Sequence, residues 1–157
     1  MSKKKVVVKW SPTFSCGIKI IDDQHKDLIK LINDMYNHSS GNPKEEREYF
    51  SKIIHRAVKY VKEHFQTEEK LMIITKFPGY HEHKKAHHDF TLTVIDAVKN
   101  FEEGKRFTLL DFTNFLKDWA LSHIAFMDKD YANYFKEIAT PKEDGSLSLE
   151  RADLERL

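Results

Sequence analysis

Residues 50–71 read FSKIIHRAVKYVKEHFQTEEKL, and this stretch decides the fold. Phe50, Ile54, Ala57, Val61 and Leu71 recur at steps of three and four, the spacing that lines one face of an α-helix. Two positions in the same row are polar: His64 and, one turn later, Glu68. At about 100° per residue, side chains four apart lie within about 40° of each other. Both therefore share the face that should enter a core.

The pattern recurs on three further segments, each with the same violation. One seam holds His25, Leu28, Ile32 and Met35, and another His83, His87, Phe90, Val94, Ala97 and Phe101. The last holds Leu109, Phe112, Leu116, Trp119 and His123. Gly41-Asn42-Pro43, Lys76-Phe77-Pro78-Gly79, Gly104 and Thr140-Pro141 separate or end the segments. The helices predicted are 22–41, 43–75, 81–103 and 108–139, with Asp22 and Thr108 as caps and Pro43 as a first helical residue. Long amphipathic helices with short connections predict an all-α fold, an up-down-up-down four-helix bundle. Residues 1–20, with Val6 to Val8, Trp10, Phe14, Ile18 and Ile20, read as an extended N-terminal arm packed on the bundle. The bundle itself spans 21–139, and residues 140–157 form a polar C-terminal tail with a short helix predicted after Ser148.

A chain of 157 residues fits one domain with a tail. Lys plus Arg total 26 against 25 Asp plus Glu, a net charge of +1 that supports no electrostatic grip on DNA, RNA or an anionic membrane. Cys16 is the single cysteine, which excludes an internal disulfide, suits a reducing compartment and leads us to expect a cytoplasmic protein. A small buried hydrophobe is the role expected of it. The run Val6-Val7-Val8 falls short of the apolar stretch of about 7–15 residues in a signal peptide or about 20 in a membrane span. Neither element is expected in this sequence.

The fourth helix changes phase after His123. Its three-four pattern resumes at Asp128 and continues through Tyr131, Phe135 and Ile138. Five residues of regular helix would swing Asp128 about 140° off the seam. A π-bulge accommodates one extra residue and restores the phase, so a widened turn is predicted between His123 and Asp128.

Seven polar groups thus point at one core. Left without partners, each would cost about 1–3 kcal/mol, and their sum, roughly 10 kcal/mol, rivals the stability of a whole domain. Taken singly, His25 reads as an ordinary core histidine and Asp128 as a solvated residue; together the seven call for metal ions. His38, His55, His81 and His88 fall off the seams and are expected on the surface, His38 near the negative end of the first helix. Imidazole suits zinc, copper, nickel and iron alike, so the residue types leave the metal open.

The order His25, His64-x-x-x-Glu68, His83-x-x-x-His87, His123-x-x-x-x-Asp128 resembles the seven-ligand pattern of the hemerythrin family. Asp22-Asp23-Gln24-His25-Lys26 and the upstream Trp10, Phe14 and Gly17 resemble its bacterial members, across roughly residues 10–135. The resemblance implies two iron ions, cycling between Fe2+ and Fe3+, with a bridging oxo or hydroxo group. His83, His87 and His123 would hold one iron and His25 and His64 the other, with Glu68 and Asp128 bridging. It further implies reversible O2 binding at the less-ligated iron, for oxygen storage, delivery or sensing, by a protein that is not an enzyme. Leu28, Phe65, Trp119 and Ile124 are placed to keep that position apolar and dry. Ala120 departs from the leucine common three residues before the fourth-helix histidine, and a smaller side chain there is expected to admit water. The alternatives are a di-iron oxidase or peroxidase, a nitric-oxide-handling enzyme, or a regulatory module acting through the arm or residues 140–157.

Overall fold

The computed structural model describes residues 3–105, 108–141, 143 and 147–148. Helices α1 (Lys19–Asn37), α2 (Pro43–Ile74), α3 (Tyr80–Glu102) and α4 (Leu109–His123) are followed by a π turn (Ile124–Asp128) and α5 (Lys129–Ile138). The last three form one continuous rod, the fourth helix of the bundle. Helix α1 packs on α2 and α4, and α2 packs on α3. With short loops between consecutive helices, this is the up-down-up-down arrangement.

Local chemistry explains most helix ends. Asn42 Oδ1 accepts from the amides of Lys44 at 3.0 Å and Glu45 at 3.2 Å, and Pro43 opens α2. Thr108 Oγ1 accepts from the Asp111 amide at 3.2 Å. Helix α1, however, starts at Lys19, ahead of the expected cap. Asp22 sits in its first turn and instead accepts from the Cys16 amide at 2.8 Å and from Ser15 Oγ at 2.5 Å, which holds the preceding loop. The helix also ends earlier than expected, at Asn37. There His38 donates from Nδ1 to the Asp34 carbonyl at 2.9 Å and stacks on Tyr49, as its position near the helix terminus suggested.

Two asparagines tie residues 5–8 to α1. Asn33 Oδ1 accepts from the amides of Val7 and Val8, and its Nδ2 donates to the Val8 carbonyl at 2.7 Å. Asn37 pairs in the same way with both backbone groups of Lys5. At the same end of the bundle, the buried carboxylate of Glu46 accepts from the Gly41 amide at 2.7 Å and the Leu109 amide at 3.0 Å, linking two loops.

The core has two apolar clusters. One contains Leu28, Ile32, Phe50, Phe65, Phe112 and Ala120, and the other Cys16, Ile21, Met72, Phe77, Tyr131 and Phe135. Polar seam residues fall between the two clusters along the chain: His25 between Ile21 and Leu28, Glu68 between Phe65 and Met72, His123 and Asp128 between Ala120 and Tyr131. Helix α3 departs from the expected seam, because no residue after Phe90 is buried and Val94, Ala97 and Phe101 are only half-buried. Its second half still packs on the core through these side chains, and Phe101 meets Phe50 edge-on with centroids 4.6 Å apart. Cys16 is buried as expected, and burial pushes its thiol up, away from reactivity.

Thr140–Pro141 and Leu147–Ser148 pair as a two-residue antiparallel ladder. The short helix predicted after Ser148 lies outside the described residues. Among the described residues, no helix is long and apolar enough to cross a membrane.

Candidate metal centre

Four helices deliver seven side chains to one point. Helix α1 supplies His25, α2 His64 and Glu68, α3 His83 and His87, α4 His123, and the end of the π turn Asp128. All seven are buried, whereas His38, His55, His81 and His88 are exposed. The predicted widened turn is present over Ile124–Asp128 and brings Asp128 to 3% exposure, facing the histidines.

The two carboxylates divide their oxygens alike. Glu68 Oε1 lies 3.2 Å from His64 Nε2 and 3.6 Å from His25 Nε2. Its Oε2 lies 3.1 Å from His87 Nε2 and 3.3 Å from His83 Nε2. Asp128 Oδ2 lies 2.9 Å from His25 Nε2, while Oδ1 is 3.1 Å from both His83 and His123. Each carboxylate thus has one oxygen toward a two-histidine half and the other toward a three-histidine half. Two ligand sets, His25-His64-Glu68-Asp128 and Glu68-His83-His87-His123, each have atoms within 4.8 Å of one another.

Spacing and protonation both fit metal ions. His123 Nε2 lies 3.0 Å from His83 Nε2 and 3.1 Å from His87 Nε2. Metal–nitrogen bonds of about 2.1 Å at right angles would set such atoms about 3 Å apart. His87 Nδ1 donates to Glu69 Oε1 at 3.1 Å, which leaves its Nε2 lone pair facing inward. On the other half, Thr67 Oγ1 donates to the Glu63 carbonyl and accepts from Gln24 Nε2 at 3.2 Å. Gln24 is thereby oriented so that its Oε1 accepts from His64 Nδ1 at 2.7 Å, and the His64 Nε2 lone pair also faces inward. His25 Nε2, Glu68 Oε2 and both Asp128 oxygens are buried without a hydrogen-bond partner. A shared cation would satisfy them.

The electrostatics show the same demand for positive charge. Burial pulls His25 and His83 down, but Asp128 and Glu68 outweigh it and raise both to about 9. His123 is raised on the same balance. Burial is the first influence on His87, which stays lowered. Burial would raise Glu68, yet the surrounding imidazoles hold it well below the usual carboxylate range, and Asp128 is lowered similarly.

Leu28, Phe65, Trp119, Ala120 and Ile124 line a single cavity of about 10 Å³ beside His25, His64 and His123, near the lower limit for one small molecule. Phe65 stacks on His87 with centroids 3.8 Å apart and Trp119 on His123 at 4.4 Å. Ala120 is 1% exposed. The cavity beside it stays small because Tyr60, Phe90 and Leu116 complete the wall. Gln24 and Glu69 escaped the sequence reading. Their only local signal is adjacency to His25 and Glu68, and a polar residue beside a buried one is usually just surface.

The Hemerythrin HHE cation binding domain family matches residues 16–135. The chain is 28% identical to a bacteriohemerythrin of Methylococcus capsulatus, over 75% of this chain and 88% of the relative. It is 30% identical to a myohemerythrin of Theromyzon tessulatum, over 78% and 89% respectively. Among solved structures, a wild-type hemerythrin superposes with a TM-score of 0.70 at 28% identity, covering 81% of this chain and 96% of that one. With a family match that spans all seven converging residues, this chain belongs to the hemerythrin HHE cation-binding family.

Proposed function

We propose that this protein binds O2 reversibly at a non-haem di-iron centre held by His25, His64, Glu68, His83, His87, His123 and Asp128. One observation carries the reading: both buried carboxylates turn one oxygen to each half of the histidine cluster, the arrangement two adjacent ions require. When bound, two iron ions with a bridging oxo or hydroxo group supply the electrons that O2 takes up and returns.

The chain's own residues do the rest. His83, His87 and His123 give one ion three imidazoles, whereas His25 and His64 give the other only two. Gln24 and Glu69 hold His64 and His87 with their Nε2 atoms inward. Leu28, Phe65, Trp119, Ala120 and Ile124 surround the cavity with apolar surface, which excludes water and limits the protons that would drive oxygen off in reduced form. Neutral imidazoles donate less negative charge than carboxylates, so this ligand set favours holding oxygen over cleaving it. The protein serves oxygen storage, delivery or sensing rather than catalysis, and the lone buried thiol suits the cytoplasm.

Metal analysis and a visible spectrum under air and nitrogen test the reading. Two equivalents of iron per chain and a colour that bleaches when oxygen is removed are expected. Failure to take up two irons, unchanged uptake in a Glu68→Ala/His87→Ala double variant, or sustained turnover of a reductant or peroxide without a persistent coloured form would overturn it.

A further inference from the structure

The second half of α3 packs on the core through half-buried Val94, Ala97, Val98 and Phe101, and a groove of about 530 Å³ runs between it and α2. Ile54, Ala57 and Val61 of α2 face Val94, Ile95 and Val98 of α3 across it. Buried Phe65, Phe90 and Leu116 form the floor. At the mouth, Val58 and Ile95 remain 44% and 48% exposed. The volume lies within the range of small-molecule sites, about 300–1,000 Å³.

Charge at the groove narrows the class of ligand. Lys62 on α2 and Lys99 on α3 both line it and are exposed, and among the described residues neither is found in an ion pair. The one carboxylate in the lining, Glu69, is engaged by His87 Nδ1 at 3.1 Å. An apolar trough with two free ammonium groups and no free acid fits an alkyl chain that ends in an anion. A helix of a partner fits less well: three turns are about 10 Å across and 16 Å long, roughly 1,200 Å³.

We propose that the groove between α2 and α3 binds a single-chain fatty acid, its alkyl chain on Val61, Val94 and Val98 and its carboxylate at the end lined by Lys62, Gln66 and Thr91, with Lys99 adding positive charge farther along the groove. The groove contains none of the seven converging residues, although Phe65, Phe90 and Leu116 wall both it and the small cavity, and the proposal stands whether or not the cluster carries oxygen.

Calorimetric titration of the full-length, iron-loaded protein with palmitate below its micellar concentration tests the proposal, with hexadecanol as the uncharged probe. One equivalent of palmitate is expected to bind. A Lys62→Glu/Lys99→Glu variant, altered only at exposed positions, should bind palmitate at least tenfold more weakly and hexadecanol within about twofold of the parent. A Val98→Trp variant, which fills the trough, should lose both, with its iron spectrum and helical signal retained to show that it folds. Absence of saturable palmitate binding, equal palmitate affinity in the parent and the double-lysine variant, or a dimer of the parent that dissociates on Val98→Trp would overturn it, the last by making a second copy the occupant.

Discussion

Gln24 accepts a hydrogen bond from His64 Nδ1 at 2.7 Å and is itself oriented by Thr67 at 3.2 Å. A glutamine amide has two nearly isosteric orientations, and the Thr67 hydroxyl, already donating to Glu63, selects one of them. The imidazole tautomer therefore follows from a hydroxyl two positions away from it in the chain of contacts. Replacing Gln24 by Leu should weaken metal binding at the two-histidine half by about 10–100-fold. Competition with a calibrated chelator would show this, and Thr67→Val should have a smaller effect of the same sign.

The metal-free protein should lose stability in base. His25 and His83 are raised to about 9 from an ordinary 6.5. A raised histidine stabilises the fold fully below its unfolded value and loses that contribution as pH climbs through the folded one. Glu68 and Asp128 are lowered, so their contribution is present above the ordinary carboxylate range and lost as pH falls below it. Metal-free melting temperature should thus peak between about pH 5 and 6.5 and drop on the order of 5 °C by pH 9. Metal affinity should move oppositely and rise with pH, because protons compete for the same nitrogens. Scanning calorimetry with and without chelator separates the two trends.

Ala120 leaves the cavity at about 10 Å³. Leucine there adds three carbons to a space that holds about one water, so Ala120→Leu should cost about 1–3 kcal/mol through overpacking. The same bulk excludes water, and the oxygenated form of the variant should oxidise more slowly in air than the parent. Equal oxidation rates followed at the visible band would show that Ala120 does not control water entry.

The π turn offers a cleaner separation of stability from binding. Phe126 lies within it and is 73% exposed, so its loss removes little packing. Deleting it leaves a spacing of four between His123 and the aspartate, which a regular helix accommodates on one face. The deletion variant should melt at or above the parent temperature when metal-free, yet bind iron at least tenfold more weakly, because the carboxylate shifts along the helix away from its present contacts at 2.9 and 3.1 Å. Melting curves and iron titration of the same preparation would test both halves.

Much of this protein was legible in one dimension because helical geometry is local. Steps of three and four placed His64 with Glu68 and His83 with His87 on single faces, and a step of five exposed the widened turn before Asp128. A side chain's direction there depends only on its own helix. Contacts between helices depend on distances and rotations that no single segment specifies. Asn33 and Asn37 holding residues 5–8, Glu46 linking two loops and Gln24 orienting His64 are of that kind. So is the groove, since the apolar row of Val94, Ala97 and Phe101 is equally consistent with full burial. Sequence alone determined which residues face inward; the tertiary structure decided what each one meets there, because partners distant in the chain are set by how whole helices pack.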